Sequence, residues 1–166
     1  MQQLRMHRRV PTLRRMTIRD QTRAVRQGSF GWMIQRLARQ VERRMEAALT
    51  PQGLTIREFA ILMMVLEADR PSQARIGAQF AMPAYAISRA LDGLEAKGLV
   101  ERQPDPASRR SHVIVPTGAA RDIAPALHRT IEEVNARILS RLSPDEALTF
   151  VQLTQRVLAG LAVEEG

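Results

Sequence analysis

The stretch that decides the fold is residues 87–102, ISRALDGLEAKGLVER. Within it, Ile87, Leu91 and Leu94 recur at helical spacing, which places their side chains on one side of an α-helix. Gly98 follows, and glycine fits the left-handed backbone position that ends many helices. The residues from Leu99 onward are β-prone. The stretch therefore predicts a helix, packed along one side, that leads directly into a strand.

The opposite side of this helix carries a different set of side chains. At about 100° per residue, Tyr85 and Arg89 fall nearly opposite the apolar positions, and Ser88 lies on the flank. A free side with an arginine near the helix N-terminus suits the major groove of DNA, where side chains reach base edges and phosphates. The same pattern also fits an amphipathic helix with a solvated face. Periodicity alone does not decide between the two.

The sequence upstream predicts further helices. An apolar stripe over Phe30–Leu49 predicts one helix, which ends near Pro51-Gln52-Gly53. Thr55-Ile56-Arg57-Glu58 fits a capping box that starts the next helix, because the Thr hydroxyl and the Glu carboxylate can satisfy each other's backbone amides. A short helix is expected from around Ser72. Pro83 fits the first position of the helix that runs to about Lys97.

The sequence downstream predicts a hairpin. Two β-prone runs, Leu99–Gln103 and His112–Val115, are separated by residues with turn signals. Arg109 and Arg110 lie between the runs, so the hairpin is expected to have a long basic tip.

The C-terminal third predicts two long helices. Thr117-Gly118 starts the first, whose apolar stripe runs from Ile123 to Leu142. Pro125 is expected to cause a kink or a late start in this helix. Ser143-Pro144-Asp145-Glu146 fits a second capping box that starts the last helix. The side chains of this helix expected to face inward are Leu148, Val151, Val157 and Leu158.

A short helix, a tight turn, a longer helix and a basic-tipped hairpin follow the order of a winged helix-turn-helix. The sequence resembles the MarR family of bacterial transcription regulators over residues 30–162. The motifs that carry the resemblance are Gly53-Leu54-Thr55, Glu58-Phe59, Leu62, Ser72-Gln73, Ile87-Ser88-Arg89-Ala90-Leu91, Leu94-Glu95, Lys97-Gly98-Leu99-Val100-Glu101-Arg102, Asp105-Pro106-Ala107-Ser108-Arg109-Arg110 and Thr117-Gly118.

The resemblance implies a mainly α fold with a small β-hairpin wing and a helical dimerisation region. The winged helix-turn-helix is then expected over about 54–116, and the dimerisation helices over about 29–50 and 117–162. The terminal segments agree independently, since their long apolar stripes would be exposed to water in a lone small module. Members of the family usually repress transcription and release DNA when a small ligand, often phenolic or anionic, binds between the dimer helices and the DNA-binding lobe.

The expected DNA-contacting residues follow from this arrangement. We expect the recognition helix to use Tyr85, Ser88 and Arg89, and the wing to use Arg109 and Arg110. Ser72 and Gln73 are expected to position the DNA backbone. The chain departs from the family pattern at Ser108, where the wing usually has Asp, and at Pro116, where Leu commonly precedes the Thr.

Composition excludes several classes of protein. The chain of 166 residues has no cysteine, which excludes disulfides, thiol catalysis and cysteine-ligated metals. The longest run without charged or polar residues, Phe59–Leu66, is too short to cross a membrane. No phosphate-binding loop, His-Glu-x-x-His pair or Gly-x-Ser-x-Gly elbow occurs. We therefore expect a soluble, cytoplasmic protein with no catalytic activity, no cofactor and no metal.

The net charge of +8 is concentrated at the N-terminus. Residues 1–28 contain eight arginines and one acidic residue, so residues 29–166 carry a net charge of only +1. A basic extension of this kind is typical of an element that raises affinity for nucleic acid. It also fits a solvated leader, an extra helix, or a start site placed upstream of a true start at Met16.

Two aromatic side chains have alternative roles. Trp32 could line an effector pocket, because aromatic walls suit planar ligands, or it could lie in a dimer interface. His112 fits the wing surface better than a metal site. The predicted function is a homodimeric, sequence-specific regulator, a ligand-responsive repressor that binds a pseudo-palindromic operator in double-stranded DNA and responds to a small aromatic or anionic effector. The alternative is a non-enzymatic protein-interaction module on a winged-helix scaffold that has lost DNA binding.

Overall fold

The computed structural model describes residues 17–164 except Asp69 and Ala107, and it does not describe the side chains of residues 108–110 and 162–164. The described elements, in chain order, are α1 (Ile18–Gly28), α2 (Phe30–Leu49), a 3-10 turn (Thr50–Gln52), α3 (Ile56–Glu67), α4 (Gln73–Gln79), α5 (Ala84–Ala96), β1 (Val100–Asp105), β2 (Ser108–Pro116), α6 (Gly118–Leu139) and α7 (Pro144–Glu164). The mainly α fold with a two-stranded wing is therefore confirmed. The chain divides into two compact units, residues 1–40 and 41–166.

The core lies in the second unit and is mostly aliphatic, as the low aromatic content requires. It is built where α3, α5, the hairpin and α6 meet. Its fully buried side chains include Leu49, Ile61, Leu62, Val65, Ile76, Ile87, Leu91, Leu94, Ile114 and Leu127.

Local sequence signals fix most helix ends as expected. Thr55 and Glu58 form the capping box of α3, with the Glu58 amide donating to Thr55 Oγ1 at 3.2 Å and the Thr55 amide donating to Glu58 Oε2 at 2.9 Å. Ser143 and Glu146 make the corresponding pair at the start of α7. Gly98 takes φ +67°, the left-handed conformation expected after α5.

Pro83 precedes α5 instead of occupying its first position. Its ψ of 148° is extended, so it is the N-cap residue and Ala84 is the first helical residue. The proline ring fixes φ but leaves ψ free, which is why the sequence could not distinguish the two positions.

The hairpin is longer and its tip shorter than expected. β1 and β2 pair antiparallel from Val100–Pro116 to Asp105–Ser108, with an irregularity between Pro104 and Asp105. Arg109 and Arg110 therefore lie on β2, and the expectation that they belong to a long loop is wrong. The longer pairing is possible because β1 pairs with β2 alone in this two-stranded sheet, so β1 has a free edge where a proline such as Pro104 costs no ladder bond.

The hairpin is attached to the start of α4 by backbone contacts. Ser72 forms an isolated antiparallel bridge with Val113, and the Ile114 amide donates to the Pro71 carbonyl at 2.9 Å. The wing is therefore anchored to the short helix as well as to α5.

Pro125 does not delay the start of α6. Thr117 caps the helix through a hydrogen bond from the Ala120 amide, and the helix continues through Pro125 as far as Leu139. The expected late start is wrong because one missing amide leaves the cap and the burial of Ala120 and Leu127 in place.

The last helix does not bury its apolar side chains within this chain. Leu148, Val151, Val157 and Leu158, which were expected to face inward, are all exposed. Phe150, Leu153 and Leu161 are exposed as well. These side chains are available to another molecule and do not contribute to the core of the chain.

Part of the basic N-terminal extension forms the helix α1, one of the forms expected for it. Thr17 caps this helix by accepting a hydrogen bond from the Asp20 amide at 3.2 Å. Residues 1–16, including Met16, lie outside the described part of the chain. Among the described residues, no single helix has the length and apolarity to cross a membrane, although the bent pair Phe30–Gln52 and Ile56–Glu67 meets those criteria jointly, by length and composition only.

Candidate nucleic-acid interface

The candidate recognition helix, α5, has one packed face and one free face. Its packed face contains Ala86, Ile87, Ala90, Leu91 and Leu94, all of which are buried. On the free face the Tyr85 side chain is 77% exposed, Arg89 is exposed and Ser88 is half-buried. The division between the two faces is the one that the periodicity predicts. The exposed Tyr85 ring is therefore not part of the core.

The N-terminus of α4 lies beside the wing. Ser72 caps α4, with its Oγ accepting from the Arg75 amide at 3.2 Å, and Gln73 is the first helical residue. Both residues line a hollow of about 690 Å³ together with Ala84 at the start of α5 and with Asp105 and His112 of the hairpin. The structure therefore brings Ser72, Gln73 and the wing together.

The wing presents its two arginines next to a hydrogen-bonded pair. Arg109 and Arg110 follow the turn on β2, and their side chains lie outside the described part of the structure. Ser111 Oγ donates to Asp105 Oδ2 at 2.8 Å, which connects the two strands just below the turn. His112 is exposed on the same strand, where a wing-surface residue is expected.

Sequence reasoning did not single out Arg102, whose side chain contacts three residues of α5. Its Nη2 donates to Asp92 Oδ1 at 2.6 Å and to the Ser88 carbonyl at 3.4 Å, and its Nη1 pairs with Glu95. The signal was present in the sequence, because Asp92 and Glu95 lie one helical turn apart, just before a strand that carries a lone arginine. Nothing in the sequence identified Arg102 as their common partner.

A buried carboxylate connects α3 to the end of α5. Glu58 is only 6% exposed, and it pairs with Lys97 as well as with its own helix cap at Thr55. Burial raises the pKa of Glu58, but the hydrogen bonds from Lys97 and Thr55 outweigh burial, so that the pKa lies below its ordinary value. Glu58 is therefore a carboxylate at neutral pH.

Gly93 is the residue that makes room for this carboxylate. A Cβ built at Gly93 would overlap Glu58 Oε1. A glycine is therefore required in the middle of α5 for close approach to α3, even though glycine costs helix stability there.

A second hollow has a volume of about 530 Å³. It is lined by residues from α2, α3 and α5, among them Glu42, Glu46, Arg57 and Arg89, and by Met82 from the link between α4 and α5. Arg89 therefore borders both the free face of the recognition helix and this hollow.

Trp32 borders a separate hollow of about 510 Å³ within the first unit. Ile18 and Val25 form its apolar wall, and the Arg26 guanidinium lies 5.4 Å from the centre of the Trp32 ring. This distance is typical of a cation–π contact. No cluster of three or more His, Cys, Asp or Glu side chains that could hold a metal occurs in the described residues.

The core of α3, α4 and α5 with a two-stranded wing defines the class of this protein, a winged helix-turn-helix. Comparison with known proteins points to one family within this class. The MarR family model matches residues 52–111, which cover α3, α4, α5, β1 and the first part of β2. Over this segment the chain is similar to the MarR family.

Relatives and solved structures extend the likeness beyond the matched segment. The chain is 27% identical over 128 residues to the HTH-type transcriptional repressor Rv2887 of Mycobacterium tuberculosis, covering 77% of this chain and 92% of the relative. CouR from Rhodococcus jostii, solved with bound p-coumaroyl-CoA, is 25% identical with a TM-score of 0.73, covering 82% of this chain and 94% of CouR. A mutant of Escherichia coli MarR, solved with operator DNA, has the same fold at 22% identity and a TM-score of 0.70, covering 86% of this chain and 99% of MarR.

Proposed function

We propose that this protein is a homodimeric, sequence-specific DNA-binding transcriptional regulator, a ligand-responsive repressor that acts in the cytoplasm and has no catalytic activity. The observation that carries the proposal is the free face of α5, where Tyr85 and Arg89 are exposed beside a two-stranded wing. The repressor activity named for Rv2887 and the operator DNA bound by MarR support the same function.

Each DNA-contacting element has a distinct role in this proposal. The free face of α5 enters the major groove, where Arg89 and Tyr85 reach base edges. Ser88, on the flank of this face, contacts the DNA beside them. Ser72 and Gln73 position the DNA backbone. Arg109 and Arg110 reach the adjacent minor groove, whose narrow A·T-rich stretches concentrate negative potential and favour arginine.

A homodimer follows from the uncovered apolar residues of the terminal helices. Residues 29–50 and 117–162 form the dimerisation region, residues 54–116 form the winged helix-turn-helix, and residues 1–28 form a basic extension. A twofold-symmetric dimer presents two recognition helices to two half-sites. The half-site centres are expected about one helical turn apart, or about 10 base pairs.

The effector is a small aromatic or anionic molecule. The hollow beside Trp32 offers an aromatic ring, an apolar wall and the Arg26 guanidinium, which together suit a planar molecule with a negative group. The aromatic acyl thioester bound by CouR supports an effector of this class.

Selection from a pool of random duplex DNA, followed by sequencing, tests the proposed function. We expect enrichment of a pseudo-palindromic sequence that is bound by a dimer. The absence of enrichment at moderate salt would instead favour the protein-interaction module, since the winged-helix scaffold would then have no DNA partner.

A further inference from the structure

Within the described part of the chain, the polar contacts of the Arg102 side chain are all with α5. Arg102 lies on β1 opposite Ile114, a fully buried residue of β2, and its side chain is only 21% exposed. Its contacts are with the Ser88 carbonyl, Asp92 and Glu95. These three positions, spaced four and three residues apart, form a single stripe along α5. One side chain therefore connects the base of the wing to about 10 Å of the recognition helix.

The geometry points to Arg102 as a positioning residue for DNA recognition, which fixes the angle and distance between the recognition helix and the wing. This inference rests on the proposed DNA-binding function. Arg102 is attached to the core through the β1–β2 ladder, so it holds α5 at the turn that also carries Ser88 and Arg89. The Arg102 amide adds a further hydrogen bond to Glu95 Oε1 at 3.3 Å.

The chemistry of the contact favours arginine over lysine. A planar guanidinium presents several donors in a fixed fork, so it can bond two carboxylates and a carbonyl at once. An ammonium is a point charge on a flexible stem and cannot hold the same three acceptors in one geometry. The contact therefore fixes the orientation of α5 relative to β1 as well as compensating charge.

Arg102 also neutralises two carboxylates on α5, the helix proposed to approach the DNA phosphates. Asp92 and Glu95 have side chains that are 63% and 42% exposed. Without Arg102, both would repel nearby phosphates over roughly the 10 Å Debye length at 0.1 M salt. This repulsion does not depend on DNA sequence, so it lowers specific and non-specific affinity alike, and the ratio of the two affinities reports the positioning role.

The test measures the ratio of specific to non-specific DNA affinity for the full-length protein, with the selected operator and a scrambled duplex as probes. Arg102→Gln is expected to lower this ratio by about tenfold. Arg102→Lys keeps the charge but loses the fork, and the ratio is expected to stay low. Arg57→Gln removes one positive charge from an exposed position of α3, outside the proposed DNA contacts and the dimerisation helices, and is the matched control, expected to leave the ratio unchanged.

A mutant cycle identifies the route by which Arg102 acts. The double variant Asp92→Asn/Glu95→Gln is expected to lower the ratio by itself, and the addition of Arg102→Gln is expected to change it little further. The inference is wrong if the fold-loss caused by Arg102→Gln multiplies with the fold-loss caused by the double variant, and if the salt dependence of binding also falls by about one charge. Arg102 would then contact a phosphate. Full rescue by Arg102→Lys would also overturn the inference.

Urea unfolding and sedimentation of each variant separate positioning from folding. If Arg102→Gln does not fold, the double variant still tests the inference, because it removes both ion pairs while leaving Arg102 in place. If the wild type enriches no DNA sequence, the proposed function fails. If the wild type binds specifically and Arg102→Gln keeps the same ratio, only the positioning role fails.

Discussion

The helices α5 and α7 are both rich in apolar residues, but these residues are buried in α5 and exposed in α7. α5 buries five side chains against α3, α4 and the wing and leaves a polar face free. In α7, no residue between Pro144 and Leu161 is buried, although its apolar side chains are exposed at 38–60%. The comparison teaches that α5 is held in place by its own chain, whereas α7 leaves an apolar surface in water that the proposed dimer would cover.

The largest expected effect comes from α7. Leu158→Glu places a charge on a side chain that is 60% exposed in the single chain but is buried in the proposed dimer. We expect the dimer to dissociate and operator affinity to fall by about a hundredfold or more, since each protomer would then bind only one half-site. Analytical ultracentrifugation and DNA titration check both. Thr149→Glu, which adds the same charge on the opposite side of this helix, is the control, and equal dissociation by both variants would contradict the assignment of this face.

The free face of α5 gives the next effect. Arg89→Ala is expected to cost about 1–3 kcal/mol of operator binding and to relax specificity at one base-pair position, because a bidentate contact to a base is lost. Binding of the variant to operators with single base changes measures this. A uniform loss across all sequences would assign Arg89 to a phosphate.

The wing is expected to contribute somewhat less than α5. Arg110→Ala should weaken DNA binding about tenfold, or about 1.4 kcal/mol, and reduce the preference for A·T-rich flanks. Unfolding and dimerisation should stay unchanged if the role of Arg110 is to contact DNA. Unchanged affinity together with unchanged flank preference would remove Arg110 from the interface.

The tight contact beneath α5 makes a prediction about stability. Gly93→Ala places a Cβ against the Glu58 carboxylate, which is buried and held by Lys97 and Thr55, so it has little room to move. We expect the free energy of unfolding to fall by about 1–3 kcal/mol in urea, despite the higher helix propensity of alanine. Gly118→Ala, at a helical position where a Cβ meets nothing within 4 Å, is the control and should not be destabilised. Equal stability of the two variants would mean that α5 and α3 can separate at no cost.

The smallest expected effect is the pH dependence of the same contact. The pKa of Glu58 is lower in the folded chain than its ordinary value of 4.5, so the folded state holds its carboxylate against protonation. The resulting stability is fully present above pH 4.5 and is lost as the pH falls through the folded pKa. Glu58→Gln should therefore be less stable than the wild type at pH 7, and the difference should shrink in acid. The pKa of Glu146 is lowered as well, by hydrogen bonds from Ser143, so the comparison is made between wild type and variant at each pH. A difference that stays constant from pH 7 to pH 3 would show that ionisation of Glu58 contributes nothing.

The sequence was most informative about features that depend on short segments. The capping boxes at Thr55–Glu58 and Ser143–Glu146, and the left-handed Gly98, are formed as expected. It was less informative about the hairpin, since the extent of strand pairing depends on which residues meet across the sheet. The free face of α5 was predictable from spacing, but the network around Arg102 was not.

The sequence by itself determined where most helices begin and end and which side of α5 is apolar, because backbone amides, caps and helical spacing act over a few residues. Only the tertiary structure decided that Glu58 meets Lys97, 39 residues away, and that Gly93 must lack a side chain for them to do so. It also decided that Arg102 has α5 as its partner and that α7 has none of its apolar side chains buried over 144–161. These outcomes depend on which surfaces, distant along the chain, pack against each other. The spacing of residues along the sequence does not specify those contacts.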